Sequence, residues 1–96
     1  MKILITGHKG FVGSHYVKHF ENKGHEIIGV DIKEGNDCRD YFKVTDEQFD
    51  LIIHLAAIVG GRETIDNDPL SVATDLSIDS EFFNWCIRTD QNCPII

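Results

Sequence analysis

The amino-acid sequence predicts an α/β fold in which helices cover both faces of a parallel sheet, giving three layers. Two apolar runs, 2–6 and 50–57, are rich in the residues that favour buried strands. Apolar residues recur at helical spacing over 11–23 and 69–88. Because strands that alternate with helices form parallel sheets through right-handed crossovers, we expect one domain spanning 1–96.

The first strand is followed by a turn with glycines at Gly7, Gly10 and Gly13. We expect Gly7 to permit a sharp turn, Gly10 to let a diphosphate approach the backbone, and Gly13 to let the next helix pack closely on the strand. The first helix, 11–23 with Gly24 as its C-cap, then directs free N–H groups and its positive dipole end toward the phosphates.

The second strand, 26–31, ends at Asp31, 18 residues after Gly13. A carboxylate there can accept hydrogen bonds from the adenosine ribose hydroxyls of a dinucleotide, which favours NAD(H) over NADP(H). Lys33 lies close by, and its positive charge would weaken this preference. The glycine spacing is Gly-x-x-Gly-x-x-Gly, so the prediction depends on the whole order of strand, turn, helix, strand and Asp31. That order indicates a Rossmann-like domain in preference to a structural corner without a ligand.

Residues 37–40 (Asp37-Cys38-Arg39-Asp40) are expected to form a minimal third strand or only a loop. Thr45 has the character of an N-cap, which predicts a short helix over 46–49. The segment 50–57 is the clearest central strand, because it is apolar on both faces and should be covered on both.

Asp68 is predicted to cap a long helix that begins at Pro69 and extends to about 88. Residues 94–96 resemble the start of one more strand. The expected strand order is therefore 3-2-1-4 with a stub of a fifth strand, which is a truncated half of a doubly wound sheet. A ligand is expected where the order reverses, at the carboxyl ends of the first and fourth strands.

Composition narrows the possible partners and compartments. A net charge of −7 argues against a nucleic acid or an anionic membrane surface as partner, and no apolar run is long enough to span a membrane. Because the chain starts directly with a core strand, no signal peptide is expected. Cys38, Cys86 and Cys93 are an odd, widely spaced set that fits idle thiols in a reducing cytoplasm.

A metal site is not predicted from the histidine and cysteine pattern. There is no Cys-x-x-Cys pair. His15 and His19 stand one helical turn apart, but Tyr16 occupies the place where a metalloprotease motif has Glu. A solvated helix face explains the two histidines better.

Four segments together resemble the NAD-dependent epimerase/dehydratase family of the extended short-chain dehydrogenase/reductase superfamily, whose members act on nucleotide sugars. They are Thr6-Gly7-x-x-Gly10-x-x-Gly13, Asp31, Asp37-Cys38-Arg39-Asp40 and His54-Leu55-Ala56-Ala57. Val59-Gly60-Gly61 is further similar to GDP-fucose synthases. The resemblance covers the whole chain but only the first part of a family domain.

The resemblance implies roles around a bound NAD for each matched residue. Gly7, Gly10 and Gly13 would shape the diphosphate loop, and Phe11 and Val12 would offer backbone N–H groups to it.

At the adenosine end, the resemblance implies that Asp31 holds the ribose, while the Asp37 carboxylate and the Cys38 backbone meet the adenine edge. Three small or apolar residues would line the pyrophosphate and nicotinamide-ribose side: Leu55, Ala56 and Ala57.

Several of these residues have a plainer interpretation. His54 is expected to be a packed strand residue and not a base. Asp37 and Asp40 fit turn formation as well as adenine contact, and Arg39 can pair with either of them. The carboxylates in the loop before the long helix are better explained by solvation than by acid/base chemistry; they are Glu63, Asp66 and Asp68.

The departures from the family concern its chemistry. The family uses a Tyr-x-x-x-Lys and a Ser or Thr that follow later, whereas here Tyr16 and Tyr41 are followed four residues on by Phe20 and Thr45. No catalytic residue is therefore predicted, and no substrate domain is expected within residues 1–96. The expected function is NAD(H) binding by a part of a nucleotide-sugar epimerase/dehydratase-like protein that is catalytically incomplete on its own.

Two other functions remain open from the sequence. The chain could be a small non-catalytic protein that reuses this half-fold for regulation or assembly. It could also be a fragment completed by another chain, and in a longer context a nucleotide sugar is the expected substrate.

A homodimer is expected from what the short sheet cannot cover. The long helix carries more apolar residues than one small sheet face can bury, and Pro94 weakens the last strand. The helix 69–88 and the C-terminal edge are therefore expected to form a symmetric interface.

Overall fold

The computed structural model describes residues 1–56 and 69–96. The described elements, in chain order, are β1 (Lys2–Thr6), α1 (Phe11–Asn22), β2 (Glu26–Val30), a single 3-10 turn (Ile32–Glu34), α2 (Cys38–Val44), β3 (Leu51–His54) and α3 (Pro69–Thr89).

The three strands form a parallel sheet in the order β2-β1-β3. Leu4 lies at its centre, paired with Ile28 on one side and Ile52 on the other. The chain's last residues add to the edge beside β3, because Ile52 N–H donates to Pro94 O at 3.1 Å and Ile96 N–H donates to Ile52 O at 2.9 Å. The α/β fold class and the start of another strand after Pro94 are therefore confirmed.

Alternation along β1 and β3 separates the core into two layers, as buried parallel strands require. Ile3, Ile5 and Ile53 form one layer, which packs against α1. The other face of the sheet packs against α2 and α3, and its buried side chains include Leu4, Ile52, Phe42, Phe82 and Trp85.

The expectation for 37–40 was wrong, because these residues begin a helix and form neither a strand nor a loop. Asp37 is the N-cap of α2, and its Oδ1 accepts a hydrogen bond from Arg39 N–H at 2.9 Å. The helix buries Cys38 and Phe42 against the sheet. The order 3-2-1-4 is consequently not observed, since the third predicted strand does not form.

The predicted helix over 46–49 is also absent from the described structure. Thr45 is the C-cap of α2, with extended backbone angles. Its carbonyl oxygen accepts a hydrogen bond from Trp85 Nε1 at 3.1 Å. The polar residues after Thr45 therefore follow a helix end and do not start a new helix.

The other boundaries differ by a few residues. α1 ends at Asn22, and Gly24 follows with a φ of +81° that suits glycine. β2 ends at Val30, and β3 is shorter than the predicted 50–57. Ala57, the loop carboxylates Glu63 and Asp66, and the predicted cap Asp68 lie outside the described residues.

α3 carries apolar side chains on two opposite faces. Ile78, Phe82 and Trp85 lie along one face and are buried. Leu76, Phe83 and Ile87 recur on the opposite face and are 66%, 59% and 78% exposed. The helix thus has more apolar surface than the sheet and α2 cover. Within residues 1–56 and 69–96, no helix is both long enough and apolar enough to cross a membrane.

The exposed apolar face of α3 supports the prediction of a homodimer. Sedimentation equilibrium at about tens of micromolar should show a dimer, because burying three exposed apolar side chains per copy is favourable. Phe83→Lys should shift the equilibrium to monomer, whereas Asn22→Lys, which adds the same charge at the exposed end of α1, should not. A clean monomer for the unmodified protein would contradict the prediction.

Candidate functional site

A cavity of about 370 Å³ opens at the carboxyl ends of the strands, where the sequence predicted a ligand. Its size is in the range of small-molecule sites. It is lined by Gly7, Gly10, Val30, Asp31, Ile32, Lys33, Asn36, Asp37, Cys38, Arg39, Leu55, Ala56 and Ile78.

The cavity brings together most of the residues that the sequence singled out: Gly7, Gly10, Asp31, Asp37, Cys38, Leu55 and Ala56. It does not bring Phe11, Val12 or Gly13 to the wall. The side chains of Phe11 and Val12 are exposed instead in a shallow depression with three residues of α1: His15, Tyr16 and His19. The predicted role of Phe11 and Val12 used their backbone N–H groups, and it stays a prediction.

Gly7 connects the ends of all three strands. Its φ of +73° lies in the left-handed region, and its N–H donates to Val30 O at 2.8 Å. A Cβ on Gly7 would lie 3.1 Å from both Ala56 N and Leu55 C. The turn after β1 therefore needs glycine for its conformation and for its close approach to the chain after β3.

Gly13 is required for a different contact from the one expected. A Cβ there would lie 2.2 Å from Gly7 O and 2.7 Å from His8 Cα, so α1 packs tightly on the glycine turn itself. Gly10 is less constrained by the protein, since its φ is −73° and a Cβ would meet only Gly7 O, at 3.3 Å. Gly10 lines the cavity, which leaves its open side available to a ligand.

The N-terminus of α1 follows Gly10 directly and has no side-chain cap. The first N–H groups of a helix lack acceptors within the helix, and the helix dipole makes this end positive. The arrangement therefore suits an anion such as a diphosphate.

Asp31 is 7% exposed and joins the glycine turn to the end of β2. Its Oδ2 accepts a hydrogen bond from Lys9 N–H at 2.9 Å, and its Oδ1 accepts one from Lys33 N–H at 2.8 Å. A carboxylate has about four acceptor positions, so two backbone partners leave capacity for ribose hydroxyls.

His8 and Gly29 form a contact that the sequence analysis missed. A Cβ on Gly29 would lie 2.5 Å from the His8 ring, so the ring rests on the β2 backbone. His8 Nε2 lies 2.6 Å from Glu34 Oε1 in the 3-10 turn. A glycine inside a strand is a known sign of close approach by another group, and Gly29 was the available signal.

Asp37 forms a salt bridge with Arg39. Arg39 Nε lies 3.1 Å from Oδ1 and 3.2 Å from Oδ2, and the hydrogen bond to Arg39 holds the pKa of Asp37 below its usual range. Arg39 Nη1 also donates to Ser77 Oγ at 3.1 Å, which links α2 to α3. The geometry supports a local structural role for Asp37, as the N-cap of α2, and its contact with adenine stays a prediction.

Cys38 presents a neutral thiol beside this pair. Burial raises the pKa of its thiol to about 11, with the Asp37 charge acting in the same direction. A thiol of that pKa is protonated at neutral pH and is a poor nucleophile or metal ligand. Among residues 1–56 and 69–96, no group of three His, Cys, Asp or Glu side chains could hold a metal ion.

His54 is a packed residue and does not line the cavity. Its side chain is 11% exposed and stacks on Phe82, with ring centroids 4.2 Å apart. Nδ1 lies 2.7 Å from Thr6 Oγ1, and Nε2 lies 3.2 Å from Asp79 Oδ1. Burial lowers the pKa of His54, and the hydrogen bond to Asp79 opposes that shift.

Comparison with known proteins shows which family the sequence matches. Residues 3–92 match the model of the NAD dependent epimerase/dehydratase family. Protein CapI of Staphylococcus aureus is 36% identical over 70% of this chain and 28% of that protein. GDP-L-colitose synthase of Yersinia pseudotuberculosis is 37% identical over 73% of this chain and 24% of that protein.

Solved structures share the fold. A UDP-galactose 4-epimerase has a TM-score of 0.79 at 23% identity and matches 98% of this chain and 37% of its own. MoeE5 in complex with UDP-glucuronic acid and NAD has a TM-score of 0.73 at 21% identity, over 99% of this chain and 36% of its own. The 96 residues thus span roughly a quarter to a third of the length of these proteins.

Gly13→Ala should destabilise the protein by about 1–3 kcal/mol in urea unfolding, because overpacking against the turn outweighs the better helix propensity of alanine. Gly10→Ala is the matched control. It adds the same methyl group three residues earlier and should change stability by no more than about 0.5 kcal/mol. Equal stability of the two variants would contradict the packing role of Gly13.

Proposed function

The chain belongs to the NAD-dependent epimerase/dehydratase family, and we propose that residues 1–96 bind NAD(H) as part of a nucleotide-sugar epimerase/dehydratase-like protein. The observation that carries the proposal is the cavity lined by Gly7, Gly10, Asp31 and the Leu55–Ala56 segment. It combines an uncapped helix N-terminus, a buried carboxylate and a close backbone approach in one place.

In this proposal the diphosphate lies against Gly10 and the backbone N–H groups of Phe11 and Val12. Asp31 accepts hydrogen bonds from the adenosine ribose through the acceptor positions that Lys9 and Lys33 leave open.

The adenine lies near Asp37 and Cys38, where Cys38 contributes backbone and a neutral wall. The pyrophosphate and nicotinamide ribose lie along the small residues after β3: Leu55, Ala56 and Ala57. Bound NAD would supply a hydride acceptor, and the residues of this chain bind and orient it.

A nucleotide sugar is the substrate class that we propose for the longer protein. The names of the relatives support this, since they include a GDP-L-colitose synthase and a UDP-galactose 4-epimerase. The 96 residues contain no Tyr-x-x-x-Lys, so we propose that they bind cofactor without turning over substrate by themselves. The three free cysteines support a reducing cytoplasm as the compartment.

NADH should bind saturably to the unmodified protein, and Gly10→Val should abolish binding, because a branched side chain would occupy the space of the diphosphate. The negative φ of Gly10 allows the variant to fold, which circular dichroism checks. Lys18→Val, on the exposed surface of α1, is the matched control and should leave binding unchanged. Unchanged NADH affinity in folded Gly10→Val would reject the site, and no binding to the unmodified protein would favour a regulatory or assembly role.

Isothermal titration should give at least about tenfold tighter binding of NADH than of NADPH, because the Asp31 carboxylate repels a 2′-phosphate and accepts a hydrogen bond from a free 2′-hydroxyl. Asp31→Asn, which removes the charge at similar size, should narrow that preference. Tighter binding of NADPH to the unmodified protein would contradict the assignment of Asp31.

A further inference from the structure

The Thr6 hydroxyl lies at a junction between the core and the cavity wall. Thr6 is fully buried at the end of β1. Its Oγ1 lies 3.0 Å from Leu55 N, 3.1 Å from Ala56 N and 2.7 Å from His54 Nδ1. Backbone amides can only donate, so Leu55 and Ala56 use both acceptor positions of the oxygen, and its proton is left for His54.

This count of donors and acceptors determines the protonation of His54. Nδ1 must accept the Thr6 proton, so Nδ1 carries no hydrogen. In a neutral imidazole the hydrogen then sits on Nε2, which can donate to Asp79 Oδ1 at 3.2 Å. The hydrogen bonds therefore all run in one direction. The N–H groups of Leu55 and Ala56 donate to Thr6 Oγ1, the Thr6 hydroxyl donates to His54 Nδ1, and His54 Nε2–H donates to Asp79.

The surroundings of His54 favour its neutral form. Phe82 stacks on the ring, and Phe42 lies edge-on with its centroid 6.0 Å away. Of the described groups that face His54, Asp79 on α3 is charged, while Phe42 on α2 and Thr6 on β1 do not titrate. Asp79 is more than half exposed, so water weakens its hold on a positive charge.

We propose that His54 is a positioning residue of the dinucleotide cavity, which as a neutral Nε2–H imidazole orients the Thr6 hydroxyl so that its oxygen holds the N–H groups of Leu55 and Ala56. Those two residues form the wall that meets Gly7. That the cavity binds a dinucleotide rests on the proposed function. The tautomer of His54 and the hydrogen bonds of Leu55 and Ala56 are properties of the chain itself.

Protonation of His54 would reverse the direction of its hydrogen bond with the Thr6 hydroxyl. A hydrogen on Nδ1 would face the Thr6 hydroxyl proton, so the hydroxyl must rotate toward the amides and lose an acceptor position there. Leu55 N–H has a second acceptor, Thr6 O at 3.1 Å, but the described acceptor of Ala56 N–H is Thr6 Oγ1. At low pH the Ala56 N–H should therefore lose its hydrogen bond to Thr6 Oγ1, and this part of the cavity wall should loosen.

The tautomer can be measured without any ligand. Nitrogen-15 NMR of the imidazole at pH 7.5 should show His54 with Nε2 protonated and Nδ1 bare. Thr6→Val, which removes the hydroxyl at nearly constant shape, should change the Nδ1 shift, whereas Thr6→Ser should retain it. A doubly protonated ring, or one protonated on Nδ1, would overturn the proposal.

The effect on binding is read from the NADH affinity between pH 8 and pH 5.5, with folding checked by circular dichroism at each pH. The affinity of the unmodified protein should fall by about two- to fivefold at pH 5.5, since burial lowers the pKa of His54 and the ring is only partly protonated there. His54→Asn keeps an acceptor near the place of Nδ1 but cannot titrate, so its profile should be flatter. His19→Asn on the exposed surface of α1 should keep the original profile. An acid loss that persists unchanged in His54→Asn would overturn the positioning role.

Hydrogen exchange separates failure of this inference from failure of the proposed function. If NADH does not bind at pH 8, the proposed function fails, but the Ala56 amide still reports on the wall. After correction for the intrinsic effect of pH, its exchange should accelerate about tenfold in Thr6→Val and on acidification, relative to the Leu4 amide at the sheet centre. Unchanged protection of Ala56 would overturn the proposal.

Discussion

The close approach of three strand ends at Gly7 is the constraint on which the rest of the structure depends. Its left-handed φ turns the chain, its N–H binds the end of β2, and its missing Cβ admits the chain after β3. Gly13 then lets α1 rest on Gly7 O, which sets the helix N-terminus beside the same point. The fold and the cavity thus depend on the same contacts, because the turn that follows the central strand β1 also lines the cavity.

Much of this could be predicted because it depends on local signals. The glycine spacing, the apolar strands and Asp31 each have a meaning that holds over a few residues, and the structure brings Gly7, Gly10 and Asp31 to one cavity. The start of another strand after Pro94 followed from the same reasoning. The helix α2 was missed, although Asp37 as N-cap and the later apolar Phe42 were both visible. An Asp-x-Arg-Asp segment reads as a turn or a short strand unless the helix it caps is considered first.

The contacts that could not be predicted are those between side chains far apart in the sequence. Gly29 inside a strand indicates that some group approaches closely, but nothing near His8 indicates that its ring is that group or that Glu34 pairs with it. The partners of His54 come from β1 and α3, 48 and 25 residues away, so its tautomer follows only from the assembled structure. Arg39 offered two possible carboxylates, and the choice of Asp37 depends on helix geometry together with Ser77 on α3.

Three polar groups in or beside the cavity, those of Asp31, Asp37 and Thr6, already have hydrogen-bond partners within the protein. Asp31 accepts from two backbone amides, Asp37 is held by Arg39, and the Thr6 hydroxyl has a partner in each direction. A ligand therefore meets groups with fixed positions and some remaining hydrogen-bonding capacity, and little side-chain freedom is lost on binding. These existing hydrogen bonds also limit which further bonds each group can make to a ligand. Asp37 would have to give up charge-assisted bonds to serve a base edge, whereas Asp31 can add partners without losing any, which makes the ribose end the better defined part of the site.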